Sequence, residues 1–95
     1  MTGISRSSEG LDGRRRRLLY RSWHRGLREM DLIMGRFADA VIGDLSAAEL
    51  DDFEALSEVS DPDLYAWIAG DQAVPAPYDT ALFRRLRAFH RDGGA

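Results

Sequence analysis

The most regular hydrophobic spacing in the chain lies between Leu27 and Val41. Leu27, Met30, Met34, Phe37 and Val41 recur at steps of three and four residues, and Ile33 and Ile42 widen the stripe. That period is the signature of an amphipathic helix. It predicts a helix beginning around Arg25 or Gly26 and ended by Gly43 as a C-cap glycine. Shorter versions of the pattern flank it. Leu18, Leu19 and Trp23 mark a first helix from Asp12 or Gly13 to about His24. Ser46 followed by Glu49 forms a capping box, and Leu45 and Leu50 sit at the positions of a hydrophobic staple. Leu50, Phe53 and Leu56 continue that third helix to about Glu58 or Val59. Asp61 and Pro62 open a short fourth helix, with Asp61 as cap, Leu64, Trp67 and Ile68 on its apolar face and Gly70 as its stop. After an extended connector containing Val74-Pro75-Ala76-Pro77, Asp79 or Thr80 caps a fifth helix that buries Leu82, Phe83, Leu86 and Phe89. No pair of alternating strands is joined by a hairpin dipeptide, and no internal repeat is visible. The expected fold class is all-α, a compact five-helix bundle in one small domain over residues 13–92, preceded by a disordered N-terminal extension over residues 1–12.

Length and composition narrow the classes. A chain of 95 residues supports one domain. No apolar run approaches the roughly 20 residues that cross a bilayer, so no membrane insertion is expected. Met1 to Gly13 lacks the apolar core of a secretory signal. The expected compartment is a bacterial cytoplasm. There is no cysteine, which removes disulfides, thiol catalysis and cysteine-based zinc sites together. There is no lysine either, so all 13 positive side chains are arginine.

The charges are sorted along the chain. Met1–Arg28 carries eight arginines against Glu9 and Asp12, Glu29–Asp79 carries thirteen acids against Arg36, and Thr80–Ala95 carries four arginines against Asp92. Either the basic ends pack beside the acidic middle, or one charged face meets a partner. The run Arg14-Arg15-Arg16-Arg17 raises an alternative function, a basic-helix nucleic-acid-binding or regulatory protein. Against it stand the net charge of −3 and the lack of a helix-turn-helix pattern. Catalytic chemistry finds little support. His24 and His90 lie on separate helices without a second ligand at metal spacing, and no nucleophile elbow or phosphate loop is present. No catalytic residue, metal site or stably bound cofactor is expected.

The local irregularity that stands out is Arg25-Gly26-Leu27-Arg28-Glu29. Glycine inside a helix costs roughly 1 kcal/mol relative to alanine. Gly26 lies where two well-patterned segments join, so it either lets the chain turn or leaves a bare backbone for a partner to approach. On a continuous helix Arg25 and Glu29 would share a face beside that patch.

The same stretch resembles the SdhE family of flavinylation factors, whose signature Arg-Gly-x-x-Glu stands here as Arg25, Gly26 and Glu29. Leu19-Tyr20 before it, Glu29-Met30-Asp31 within it, the block Asp61-Pro62-Asp63-Leu64-Tyr65 with Trp67, and Pro75-Ala76-Pro77 extend the similarity over roughly residues 14 to 91. His24 departs from the Arg or Lys that many relatives carry before the signature, and the N-terminal extension is a second difference. The resemblance implies a five-helix accessory protein, not an enzyme. Such a protein binds the flavoprotein subunit of succinate dehydrogenase and, in many cases, fumarate reductase. It promotes covalent bonding of FAD to a histidine of that subunit, with FAD belonging to the client. It further implies that Gly26 allows close backbone approach, that Arg25 and Glu29 make charged hydrogen bonds across the interface, and that Arg28 adds a rim contact. Trp67, Tyr65, Leu27 and Met30 are read as core residues.

Overall fold

Each helix start must satisfy backbone N–H groups that have no partner within the helix. The computed structural model describes residues 10–93, and most of its helix starts are closed as the sequence predicts. The Asp12 carboxylate accepts from the Arg15 N–H at the head of α1 (Gly13–Trp23). The second helix, α2 (Arg28–Val41), runs into a 3₁₀ turn at Ile42–Asp44. Ser46 and Glu49 form the complete capping box that opens α3 (Ala47–Ser57). Then follow α4 (Asp61–Ala69), a 3₁₀ turn at Ala76–Tyr78, and α5 (Ala81–Arg91), whose Thr80 hydroxyl accepts from the Phe83 N–H. The described residues thus form five α-helices and no strand.

Four boundaries differ from expectation, each for a physical reason. The second helix starts at Arg28 because Gly26 adopts a φ of +108°, which no right-handed helix contains. Gly43 is not a left-handed cap but lies inside the 3₁₀ turn. Ser60, not Asp61, occupies the N-cap position of α4, without a side-chain cap hydrogen bond, and the Asp61 carboxylate makes a tertiary contact instead. Leu11, read as part of the irregular leader, is buried in the core. The expected disorder of residues 1–9 lies outside the described residues.

The core forms where α1 lies along α2 and touches α3, and where α5 closes over α2, α3 and α4. Phe37 is at its centre, with the rings of Phe53 and Phe89 each 5.6 Å away on α3 and α5. Met30, Met34, Ala38 and Ile42 complete the buried side of the second element. Trp67 is buried and Tyr65 half-buried, as a core role requires, and the Pro-rich connector returns Tyr78 to within 5.2 Å of the Trp67 ring. The closest helix contact is at Gly35. A Cβ there would lie 2.2 Å from a ring atom of Trp23, so only a hydrogen permits α1 and α2 to approach this closely. The Trp23 indole N–H donates to Asp39 at 3.2 Å, which fixes the ring across the glycine.

Much of the charge sorting resolves as internal packing. Arg14 of α1 binds Asp51 and Glu54 of α3, Arg21 binds Glu58, and Arg85 of α5 binds Glu49. Arg15 donates to the carbonyls of Ile42, at the start of the 3₁₀ turn, and of Leu45, just after it. Arg14 and Arg15, half of the basic run that suggested a nucleic-acid surface, are thereby engaged within the molecule. The Arg14 guanidinium, by its hydrogen bond, holds the Glu54 carboxyl below its ordinary value of 4.5.

Two expectations follow. Gly35→Ala should destabilise the protein by about 1–3 kcal/mol, because Trp23 or a helix axis must move to admit the methyl group. A urea titration measures this, and an unchanged midpoint would show that the helices separate freely. For Glu54, the lowered folded-state value means that the folded chain binds this proton less tightly than the unfolded chain. Its stabilisation is therefore complete above 4.5 and is lost as pH falls through the folded value. Glu54→Gln should be less stable than the parent at about pH 7, and the deficit should shrink as pH is lowered below 4.5, as measured by denaturation at a series of pH values.

Candidate partner-binding site

The link between α1 and α2 is four residues, His24 to Leu27, and its shape is set by one glycine and two carboxylates. Gly26 is exposed, has a φ of +108°, and has no atom within 4 Å of the point where a Cβ would stand. L-residues rarely enter that conformation, so glycine is required by the backbone and not by crowding. Asp31, in the first turn of α2, accepts from the N–H groups of both Arg25 and Gly26. The loop's amide donors are thus tied to the helix it precedes.

This turn sends the Arg25 side chain inwards, where it is 8% exposed. Its Nε lies 2.8 Å and its Nη2 2.7 Å from Asp61 Oδ1. Nη1 donates to the Ser57 carbonyl and Nη2 to the Val59 carbonyl, both at 2.7 Å. The guanidinium therefore joins three places: the α1–α2 link, the C-terminal end of α3 and the first residue of α4. A cation at a helix C-terminus meets the negative end of its dipole and the carbonyls left without helical partners. Arginine suits this position because its planar fork reaches several acceptors at once, which an ammonium cannot do.

The other signature residues face the opposite way. Glu29 and Arg28 are exposed, and neither side chain has a hydrogen bond or ion pair among the described residues. Leu27 was expected in the core stripe, but it is 54% exposed. Its backbone is extended, with φ −113° and ψ 126°, so it stands before the helix and out of phase with Met30. Tyr20 is 61% exposed and stacks on His24 with ring centroids 3.9 Å apart. These two are the large hydrophobic residues that the described surface exposes, and they bracket Gly26 in sequence. The surface around the link thus combines bare backbone, an aromatic pair, a leucine and two charges without internal partners. The structure brings Gly26, Arg28 and Glu29 to the surface and separates Arg25 from them.

The sequence does not mark Tyr20, Leu27, Asp31 or Asp61 as site residues. Asp31 carried one usable signal, an acid in the first turn of a helix whose entry loop needs acceptors. Asp61 carried none, because its contact with Arg25 spans thirty-six residues of chain. Among the described residues no group of three or more histidines and carboxylates is arranged for a metal ion.

Arg25→Ala should cost about 3–5 kcal/mol, because it leaves the Asp61 carboxylate and two carbonyls in a largely buried setting without a cation. Arg25→Lys should recover part of that loss. Urea denaturation of the three proteins measures it, and a loss below about 1 kcal/mol for Arg25→Ala would mean that solvent replaces the guanidinium.

Residues 16–90 match the family model described as flavinator of succinate dehydrogenase. The chain is 38% identical over 80 residues to the FAD assembly factor SdhE of Acetobacter pasteurianus, an alignment covering 84% of this chain and 73% of that protein. It is 36% identical over 73 residues to the mitochondrial succinate dehydrogenase assembly factor 2 of Dictyostelium discoideum, covering 77% of this chain and 52% of that one. For the protein of the same name from Debaryomyces hansenii the identity is 41% over 75 residues, covering 78% and 53%. The chain spans about half the length of these two mitochondrial relatives. With the signature in place at the α1–α2 link and the family match covering all five helices but for their outermost residues, the chain belongs to the family of succinate dehydrogenase flavinators.

Proposed function

We propose that this protein binds the flavoprotein subunit of succinate dehydrogenase and promotes covalent attachment of FAD to it, contributing no catalytic group of its own. The observation that carries the reading is the division of labour within the signature. Arg25 is turned inwards and holds the link, while Gly26, Arg28 and Glu29 are left free on the surface beside Tyr20 and Leu27. In this reading Gly26 lets the partner's backbone come close, and Tyr20 and Leu27 supply apolar anchors of the kind that dominate interface energies. Glu29 and Arg28 make charged hydrogen bonds that fix orientation. Arg25 is a positioning residue and does not itself touch the partner.

FAD belongs to the client in this scheme, and the new bond joins the flavin to a histidine of the flavoprotein. The accessory protein acts by binding one arrangement of the client more tightly than others, which raises the population of that arrangement. Holding two reacting groups at near-attack distance lowers a barrier by several kcal/mol without any added acid or base. The fumarate reductase flavoprotein is a second client under the same logic, and the compartment is the bacterial cytoplasm. No helix of the described residues is long and apolar enough to cross a membrane.

The test is reconstitution. Apo-flavoprotein made in a host lacking such a factor is incubated with FAD, a dicarboxylate and this protein, and flavin fluorescence is read on a denaturing gel. Flavin should stay on the flavoprotein band only when this protein is present, and Glu29→Ala should reduce it at least tenfold. Gly26→Ala and Gly26→Arg share the same backbone strain, about 1–2 kcal/mol, and should lose similar stability. Only the arginine should abolish binding. Equal binding by both variants would make Gly26 a structural join alone, and absence of retained flavin with the parent protein would sink the proposed activity.

A further inference from the structure

We infer that the partner-binding surface extends from Glu29 into the cleft between α2 and α5, and that this cleft receives an apolar side chain of the flavoprotein flanked by one basic and one acidic residue. The inference rests on the flavoprotein reading above. The cleft holds about 230 Å³ and is lined by Glu29, Leu32, Ile33 and Arg36 of α2 and by Phe89 and His90 of α5, with Gly93 at its edge. Glu29, Leu32, Ile33 and Arg36 are spaced three, four and seven residues apart, so they occupy one face of α2. The apolar members form the floor. Leu32 and Phe89 are only partly buried against the core, which leaves unfilled hydrophobic surface in the middle of the cleft.

The rim gives the cleft a polarity. Glu29 stands at one end, and seven residues on, Arg36 stands about 10 Å away along the helix axis. His90 adds a second nitrogen base to the cleft wall. The side chains of Glu29, Arg36 and His90 have no hydrogen bond or ion pair among the described residues, whereas Arg14, Arg15, Arg21, Arg25, Arg84 and Arg85 all have carboxylate partners. In a molecule that pairs so many of its arginines, opposite charges left open at the two ends of one apolar trough match a partner of complementary order. That partner segment presents a base to Glu29, an apolar side chain to Leu32, Ile33 and Phe89, and a carboxylate to Arg36. A ~10 Å separation suits residues two turns apart on a helix or three apart on an extended strand.

The experiment measures the affinity of the full chain for the apo-flavoprotein subunit by titration calorimetry. It compares the parent protein with Arg36→Glu, Arg36→Lys and Arg84→Glu. Arg36 is exposed and has no internal partner, so its reversal leaves the fold intact, which a thermal melt verifies. Arg84→Glu makes the same change of net charge on an arginine outside the cleft, and because it also breaks the exposed Arg84–Asp79 pair its fold is verified by the same melt. Support would be a loss of at least tenfold for Arg36→Glu, with Arg36→Lys and Arg84→Glu within threefold of the parent. If the parent binds and Arg36→Glu binds equally well, or if both reversals weaken binding alike, the cleft is not part of the interface and the flavoprotein reading stands without it. If the parent does not bind, both readings fall.

Discussion

The arrangement of this molecule around its surface loop depends on one buried guanidinium. Arg25 leaves a link that would otherwise be four residues of unsupported backbone, and it ties that link to the end of α3 and the start of α4. Taking the pair Arg25–Asp61 out of water is unfavourable in itself, and only dense hydrogen bonding offsets the loss of hydration. Here the guanidinium makes contacts to a carboxylate and to two carbonyls that the end of α3 leaves free. The arrangement stabilises, and it also specifies. An apolar replacement of the pair could match its stability, but it would not fix the path of the chain from His24 to Leu27. That path is what holds Gly26 at a positive φ and directs Glu29 outwards.

The same economy governs the rest of the charge pattern. A domain of this size buries a modest core, so charged side chains must cover what the core does not. The acidic third helix lies between arginines of the first and fifth helices, and Arg14, Arg21 and Arg85 close the gaps with ion pairs that are partly exposed and therefore individually weak. Their joint effect is to set which faces meet. Beneath them, Gly35 allows Trp23 to lie flat against α2, and the Trp23 indole secures α1 at the point where the link begins. The loop is thus held from both sides: by the Trp23–Gly35 crossing on the side of α1, and by Arg25 and Asp31 on the side of α2 and α4.

The helices and nearly all of the core were legible in the sequence because they rest on local rules. Ser46 with Glu49, Thr80, Pro62 and the Met30–Met34–Phe37 spacing each act within one or two turns, and each is found where expected. The errors concentrate at the link, where long-range contacts decide. Periodicity placed Leu27 in the core because its spacing from Met30 is correct for a helix that does not yet exist at that residue. Arg25 and Glu29 looked like neighbours on one face, yet the turn at Gly26 sends one inwards and the other out. Nothing local announces that Arg25 reaches Asp61, thirty-six residues away in the chain. Gly35 was hidden for the same reason, since a glycine inside a helical stripe shows its purpose only when the ring packed on it is known.

A three-residue signature with such unequal members suits a factor that acts by binding. A contact surface made only of exposed residues on a flexible loop would lose affinity each time the loop had to be ordered. If the surface binds as proposed, assigning Arg25 to the interior removes that loss beforehand, with the free charges of Glu29 and Arg28 and the exposed Tyr20 and Leu27 already in place. The signature therefore combines two requirements of different kinds. Arg25 and Gly26 are demanded by the fold of this chain, and Glu29 is not demanded by any contact within it. Under the proposed function, a residue with no internal partner at that place in the motif is explained by the contact it makes with the flavoprotein.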